Sequence, residues 1–260
     1  MSDIIKWFRQ DKQRTALREE YQLQRAVIPD LRQVLHRDTS DSQHPERRHW
    51  SMPINTLEQI ARSDPQRFVA AMIASTSKTI TNMVCDLVGS DGKQSKFMTH
   101  EQITEAVNEL KKRGVSGPFN CVLTPDNYGQ LIWAFRHLID DSQISVDERD
   151  EIEQLKNKCI GQHGLRRGSW RGIGIYVAQR CAQSFVFGQG AIQYSEWRDE
   201  QSISAWLDLK PPVPIIDLGD MLLALGRAKD LEYHMIAHYW PSVSIANKDA
   251  IVFIQTLANQ

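Results

Sequence analysis

Met98-Thr-His-Glu-Gln-Ile-Thr-Glu-Ala-Val-Asn-Glu-Leu-Lys-Lys-Arg-Gly114, Val115-Ser-Gly-Pro-Phe-Asn-Cys-Val-Leu123 and Thr124-Pro-Asp-Asn-Tyr-Gly-Gln-Leu-Ile-Trp-Ala-Phe-Arg136 form the stretch on which the fold turns. It reads as helix, short strand, helix. Thr99 is a good N-cap, and Gln102, three residues on, completes a capping box. Ile103, Ala106, Val107 and Leu110 fall at i, i+3, i+4 and i+7, an apolar stripe. Gly114 supplies a left-handed stop, and Lys111, Lys112 and Arg113 before it suit the negative end of a helix. Cys121, Val122 and Leu123 are short and apolar, as in a buried strand. Thr124 caps the second helix with Pro125 at its first position, and Tyr128, Leu131, Ile132 and Phe135 repeat the stripe.

Upstream, Asp64-Pro65 opens a helix that runs to Val88 and stops at Gly89. Phe68, Met72, Ile73, Thr76, Ile80, Val84 and Leu87 line one side and are expected to pack on a sheet. At ~1.5 Å per residue this is a strut of about 35 Å. Its serines and threonines at 75–81 lower intrinsic propensity, so tertiary packing must hold it. Before it, residues 5–28 read as an amphipathic helix through Leu17, Tyr21, Gln24 and Ile28. Ile4, Trp7 and Phe8 form an apolar tip that could meet the chain's own body, a partner subunit or a membrane surface. The mixed sign of the polar face argues against the membrane. Residues 37–49 are polar and read as an exposed loop.

Downstream, Ser145–Lys158 is a helix with acidic residues first and basic last, read as a solvated face. The glycine-rich run Gly161–Gly174 leads into a strand, whereas a dinucleotide turn follows one, and it lacks the Gly-Lys-Ser/Thr of a phosphate loop. Period-two patterns place strands at 173–178 and 231–240, 185–187 is an apolar patch at a turn, and Ala191–Trp197 reads as another short strand or a helical turn. Pro211–Pro214 reads as a rigid connector, Asp217–Ala228 as a short helix with Met221, Leu222 and Leu225 on one side, and 243–256 as a terminal hairpin.

The chemistry is sparse. The four cysteines, Cys85, Cys121, Cys159 and Cys181, are scattered and read as reduced thiols of a chain that folds in a cytosol. Cys159 with His163, and His234 with His238, are the only polar clues to an enzyme. On a strand, 234 and 238 stand about 13 Å apart, too far to chelate one ion. No nucleophile elbow, kinase set or His-Glu-x-x-His is present. No run approaches the length of a membrane span, and no signal-peptide core opens the chain. With 31 Lys+Arg against 32 Asp+Glu, a strongly basic sequence-reading domain is not expected. Catalytic residues, cofactor and metal are all expected to be none.

The order of these elements resembles a known family. Asp64-Pro-Gln-Arg-Phe-Val-Ala-Ala-Met-Ile-Ala74 with Thr81-Asn-Met-Val-Cys-Asp-Leu-Val-Gly89 is similar to the spine helix of tailed-bacteriophage major capsid proteins of the HK97-like fold. Thr99–Gly114 with Asn120-Cys-Val-Leu-Thr-Pro-Asp-Asn-Tyr-Gly-Gln-Leu131, Gly188-Gln-Gly-Ala191, and the close His238-Tyr-Trp-Pro-Ser-Val-Ser-Ile-Ala-Asn-Lys-Asp-Ala-Ile-Val-Phe-Ile254 resemble the family's later elements. The resemblance covers about 53–256. The family's long β-hairpin would have only 38–63 available, and Trp240-Pro241 stands where the family has glycine.

The resemblance implies an α+β, HK97-like capsid fold. Its parts would be an N-terminal arm and short extended loop (1–52), a peripheral domain with the spine helix (53–98 and 236–260), and an axial domain (99–235). It implies a structural, non-enzymatic virion protein, assembled in the host cytoplasm into an icosahedral shell around double-stranded DNA. The partners implied are the chain itself in pentamers and hexamers, scaffolding, portal or decoration proteins, and packaged DNA touched without sequence preference, with no membrane. Trp7, Phe8, Arg47, Arg48, Arg166, Arg167 and Arg171 are the candidate subunit or genome contacts. The alternatives are another virion or intracellular structural protein, and an unrecognised α+β enzyme.

Overall fold

A computed structural model of the chain describes residues 6, 9–37, 48–53, 65–93, 97–139, 144–157, 164–197, 215–227 and 233–254. The chain is α+β and divides into two compact units, one of residues 1–29, 40–76 and 195–242, the other of 30–39, 77–194 and 243–260. Residues 195–235 thus fall with 53–76, and residues 77–98 fall with 99–194. The Pro211–Pro214 connector, Asp64 and most of the loop between 38 and 63 lie outside the described residues.

In the first unit, α1 (Asp11–Val27) and the first half of α2 (Pro65–Val88) cover an antiparallel sheet. The strands are β2 (Arg48–Pro53), β8 (Ile216–Asp217), β9 (Leu222–Arg227) and β10 (Tyr233–Ile245), and β10 pairs with both β9 and β2. Alternation sorts the side chains. Leu223, Leu225, Met235, Ala237 and Tyr239 pack with Phe68, Val69, Met72 and Ile73 of α2 and Leu17 and Tyr21 of α1. Leu222, Ala224 and Trp240 form a small cluster of their own. Each fully buried large side chain contributes ~1.5–3 kcal/mol. Of the surfaces open to the N-terminal helix, the described part, α1, packs on its own chain. Tyr21 Oη donates to Asp220 Oδ1 at 2.5 Å, Arg18 Nε to the Asp217 carbonyl at 2.8 Å, and Gln24 Nε2 to the Gln66 carbonyl at 2.9 Å.

The expected helix over Asp217–Ala228 is instead two strands, β8 and β9. Met221 to Leu225 is apolar without a gap, and a strand can bury both of its faces where a helix stripe would leave Leu223 and Ala224 outside. Gly219, at φ 107, makes the turn between the strands.

In the second unit a five-stranded sheet runs β11-β6-β3-β5-β4. Its strands are β3 (Asn120–Leu123), β4 (Arg166–Trp170), β5 (Ile173–Val177), β6 (Phe185–Phe187) and β11 (Ile251–Phe253). β3 sits inside it, parallel to β5 and antiparallel to β6, with all four residues buried. One face carries Cys121, Leu123, Ile175, Val177 and Val186 against α3 (His100–Lys112), α4 (Pro125–Ile139) and α5 (Val146–Asn157). The other carries Val122, Tyr176, Phe185 and Phe187 against Ile80, Val84 and Cys85 from the second half of α2. β1 (His36–Arg37) pairs parallel with β7 (Ile192–Trp197), and β7 neighbours β10 in the sheet order β1-β7-β10-β9-β8.

The helix ends follow the residues that cap them. Thr99 N donates to Gln102 Oε1 at 2.9 Å within a capping box. Gly114, at φ 76, closes α3, with Val115 N bonded to the Leu110 carbonyl and Gly114 N to that of Lys111, a Schellman pair. Thr124 Oγ1 accepts from Asn127 N at 3.1 Å, with Pro125 first in α4. Ser145 and Glu148 cap α5 reciprocally.

The expected terminal hairpin does not form. A 3₁₀ turn, Lys248–Ala250, follows β10, and β11 pairs with β6. Asn247, whose side chain accepts from Asp249 N, sets that turn and re-aims the chain.

The middle of α2 makes the tightest backbone contact. Gly164 (φ 86) lies against it so closely that a Cβ would stand 2.4 Å from Lys78 N. Gly164→Ala is therefore expected to lose ~1–2 kcal/mol from the left-handed backbone and a further ~1–3 kcal/mol from overpacking. Urea denaturation of the variant beside Gly172→Ala, where a Cβ meets nothing within 4 Å, checks this. Equal losses would contradict the contact.

Candidate interaction surfaces

The seven sequence-predicted contact residues do not form one site. Trp7, Phe8 and Arg47 lie outside the described residues, and Arg48 begins β2, exposed and opposite Tyr239 of β10. Arg166 and Arg167 are consecutive in β4 where its register against β5 shifts, and their surroundings differ. Arg166 is half-buried, with Nε donating to the Gly168 carbonyl at 3.1 Å. Arg167 is 1% exposed, its guanidinium 5.9 Å from the centre of the Tyr128 ring. Arg171 is exposed at the β4–β5 turn with φ 49. Its Nε donates to Glu148 Oε1 at 2.8 Å, its backbone N to Glu151 Oε2 at 2.7 Å, and its guanidinium stands 5.1 Å from the Trp170 ring. The Ser145 backbone N–H and the Arg171 guanidinium hold the Glu148 carboxyl below its ordinary range. This turn is a neutralised ion-pair cluster, not a basic patch.

The polar clues to catalysis are equally dispersed. His234 and His238 are buried in β10, opposite Gly226 and Leu222 of β9. Cys159 and His163 lie outside the described residues. Among the described residues, no three His, Cys, Asp or Glu side chains are grouped to hold a metal ion. No described helix is long and apolar enough to cross a membrane.

Two concavities open on the second unit. A polar one of about 510 Å³ is lined by Lys93, Thr124, Asn127, Gln130, Cys181 and Gln183 among others. The buried Ser184 hydroxyl at its wall accepts from Thr124 N at 3.0 Å and Asn127 Nδ2 at 2.8 Å, fixing the start of α4. A shallower one of about 380 Å³ lies between α3 and α4, rimmed by Phe97, His100, Trp133 and His137. Trp133 is 51% exposed, edge-on to Phe97 at 5.4 Å and 4.3 Å from the His137 ring. Sequence reading passed over this patch. Its signal was a tryptophan and a histidine four residues apart, off the buried stripe of α4.

His100 stands at the inner wall of that groove, stacked on Phe135 at 6.0 Å and edge-on to Trp170 at 5.7 Å. Burial lowers its pKa, outweighing the Glu101 carboxylate beside it.

No family model matches the chain, and no curated protein matches it. Solved structures resemble it at low identity. A virus-like particle from Pyrococcus furiosus aligns over 92% of this chain and 97% of its own at 12% identity, with a TM-score of 0.45. The SrpI encapsulin complex from Synechococcus elongatus aligns over 87% of this chain and 89% of its own at 10% identity, TM-score 0.43. The structure titled Mycobacterium phage Che8 aligns over 80% of this chain and 70% of its own at 14% identity, TM-score 0.43. Likeness at this level assigns neither family nor activity.

The His100 environment gives a pH dependence of definite sign. Its folded-state pKa lies below 6.5, so stability is fully present above that value and is lost as pH falls through it, when the unfolded chain takes the proton first. Thermal denaturation from pH 7.5 to 5.0 should therefore show a steeper loss for the wild type than for His100→Gln. Parallel curves would mean that the imidazole is equally at ease in both states.

Proposed function

We propose that this chain is a self-assembling shell protein and, more finely, a major capsid protein of the HK97-like type whose copies enclose double-stranded DNA. The observation that carries the reading is α2, one helix of 24 residues whose first half is buried in one sheet-bearing unit and whose second half is buried in another. The resemblance calls for one long spine helix at this point of the chain; it puts that helix in the peripheral part, 53–98, whereas α2 is shared between the two units. The capped helix–strand–helix of 99–139 follows it in the expected order.

In this reading the axial part centres on 99–194, and the peripheral part combines 53–76 with the β8–β10 sheet. Pentamers and hexamers of the one chain form a closed shell only if the same surfaces serve both positions. The Phe97–Trp133–His137 face and the Arg171 turn are surface groups available for such contacts. With formal net charge −1, contact with packaged DNA would be weak, salt-dependent and without sequence preference. The buried placement of His234 and His238 supports a structural reading over an enzymatic one.

Negative-stain microscopy of the purified full chain tests the proposal. Closed particles, or rings of five and six copies, are the expected result. A monodisperse monomer over a range of salt and protein concentrations would overturn it.

A further inference from the structure

Three of the cysteines are described, and two of them are brought together by packing. Cys85 lies in the last turns of α2, 1% exposed. Cys181 sits in the connection between β5 and β6 and packs, half-buried, into the same apolar cluster as Cys85. Ninety-six positions separate them in sequence, and one side chain holds the two segments in place. Gln183 Oε1 accepts from Ser90 Oγ at 2.8 Å and Asp91 N at 3.1 Å, while its Nε2 donates to the Lys93 carbonyl at 3.1 Å. The chain leaving α2 is thus tied to the β5–β6 connection two residues from Cys181, whose Sγ bonds the Gln183 carbonyl at 2.9 Å. Contact with the Cys181 thiol, together with burial, pushes the Cys85 thiol well above its usual range. Cys121, by contrast, points into the core on the opposite face of the sheet. Of the three described cysteines, Cys181 is the one at the wall of the polar pocket of about 510 Å³.

We propose that Cys85 and Cys181 are a reversible dithiol–disulfide site, reached through that pocket by a low-molecular-weight disulfide, whose closure links the end of α2 to the β5–β6 connection. The Cys181 thiolate attacks one sulfur of the small disulfide R–S–S–R, forming Cys181–S–S–R and releasing R–S⁻. Cys85 Sγ, as its thiolate, then attacks Cys181 Sγ, closes the protein disulfide and expels the second R–S⁻. The two protein thiols lose two electrons and two protons, and the small disulfide becomes two R–SH. Packing of Cys85 and Cys181 in one cluster makes the second step intramolecular, and because the Cys85 thiol is held above its usual range the step quickens as pH rises. The pocket admits the reagent to Cys181 and not to Cys85, which fixes the order of attack. The closed loop spans most of the second unit, so the link constrains the unfolded chain and raises the melting temperature.

The test incubates the full chain with oxidised glutathione, removes the reagent, and combines intact mass, non-reducing peptide mapping and thermal denaturation. The expected result is loss of two hydrogens per chain, a Cys85–Cys181 linked peptide, and a melting temperature several degrees higher that dithiothreitol returns to its starting value. Cys181→Ser should abolish both the link and the shift, and the mapping stands without that variant if it folds poorly. A glutathione adduct that persists on Cys181, a link to Cys121 or Cys159, or unmodified Cys85 and Cys181 would each overturn the proposal.

Discussion

The structure depends on one helix satisfying two cores at once. α2 buries Phe68, Val69, Met72 and Ile73 among the β8–β10 strands and α1, and Ile80, Val84 and Cys85 under the five-stranded sheet. Its middle is rich in hydroxyl groups, and a helix that buries such residues must satisfy them. Thr76 Oγ1 donates to the Met72 carbonyl at 2.9 Å and Thr81 Oγ1 to that of Ser77 at 2.8 Å, so both close onto the helix itself. Ser77 Oγ donates to Asp30 Oδ2 at 2.7 Å, and Arg32 pairs with the same carboxylate at 2.6 Å, all three nearly inaccessible. A buried pair of this kind specifies position more than it adds stability, and removing one partner costs ~3–5 kcal/mol. Ser77, one of the residues that weaken α2 as an isolated helix, is therefore what pins its middle, with Gly164 packed against the backbone beside it.

Most of this was legible where local signals and tertiary demands agreed. The capping box at Thr99, the glycine stop at 114 and the Thr-Pro start at 124 each fix a boundary by backbone chemistry alone, and the structure keeps all three. The α2 stripe was readable because Phe68 through Val84 hold helical spacing whichever core they meet. Where the reading failed, two patterns fitted the same residues. Met221, Leu222 and Leu225 satisfy a helical stripe, but Leu223 and Ala224 between them are as apolar, and only a strand buries both sets. The closing residues failed differently. The pattern at 243–254 gives two extended segments correctly, yet nothing in it says that the second pairs with Phe185–Phe187, about 65 residues earlier.

The site was less legible than the fold. Arg166, Arg167 and Arg171 lie close together in sequence, but Arg167 is buried beside Tyr128 where the β4 register shifts, and Glu148 and Glu151 of α5 bind Arg171. The acidic cluster of α5, read as a plain solvated face, is the partner of that turn. Neither pairing is visible in sequence, since each joins segments about 20 to 40 residues apart that only the sheet brings together. The aromatic groove between α3 and α4 and the Cys85–Cys181 contact were hidden for the same reason.

The central claim is that α2 is one continuous helix, pinned at its middle and buried along both halves. Native-state hydrogen exchange, followed amide by amide over residues 65–88, tests it most directly. The account predicts strong protection running unbroken through residues 74–80, the hydroxyl-rich segment of weak intrinsic propensity. Fast exchange confined to that segment, between two protected ends, would mean two separate helices and would remove the support on which the shell reading rests.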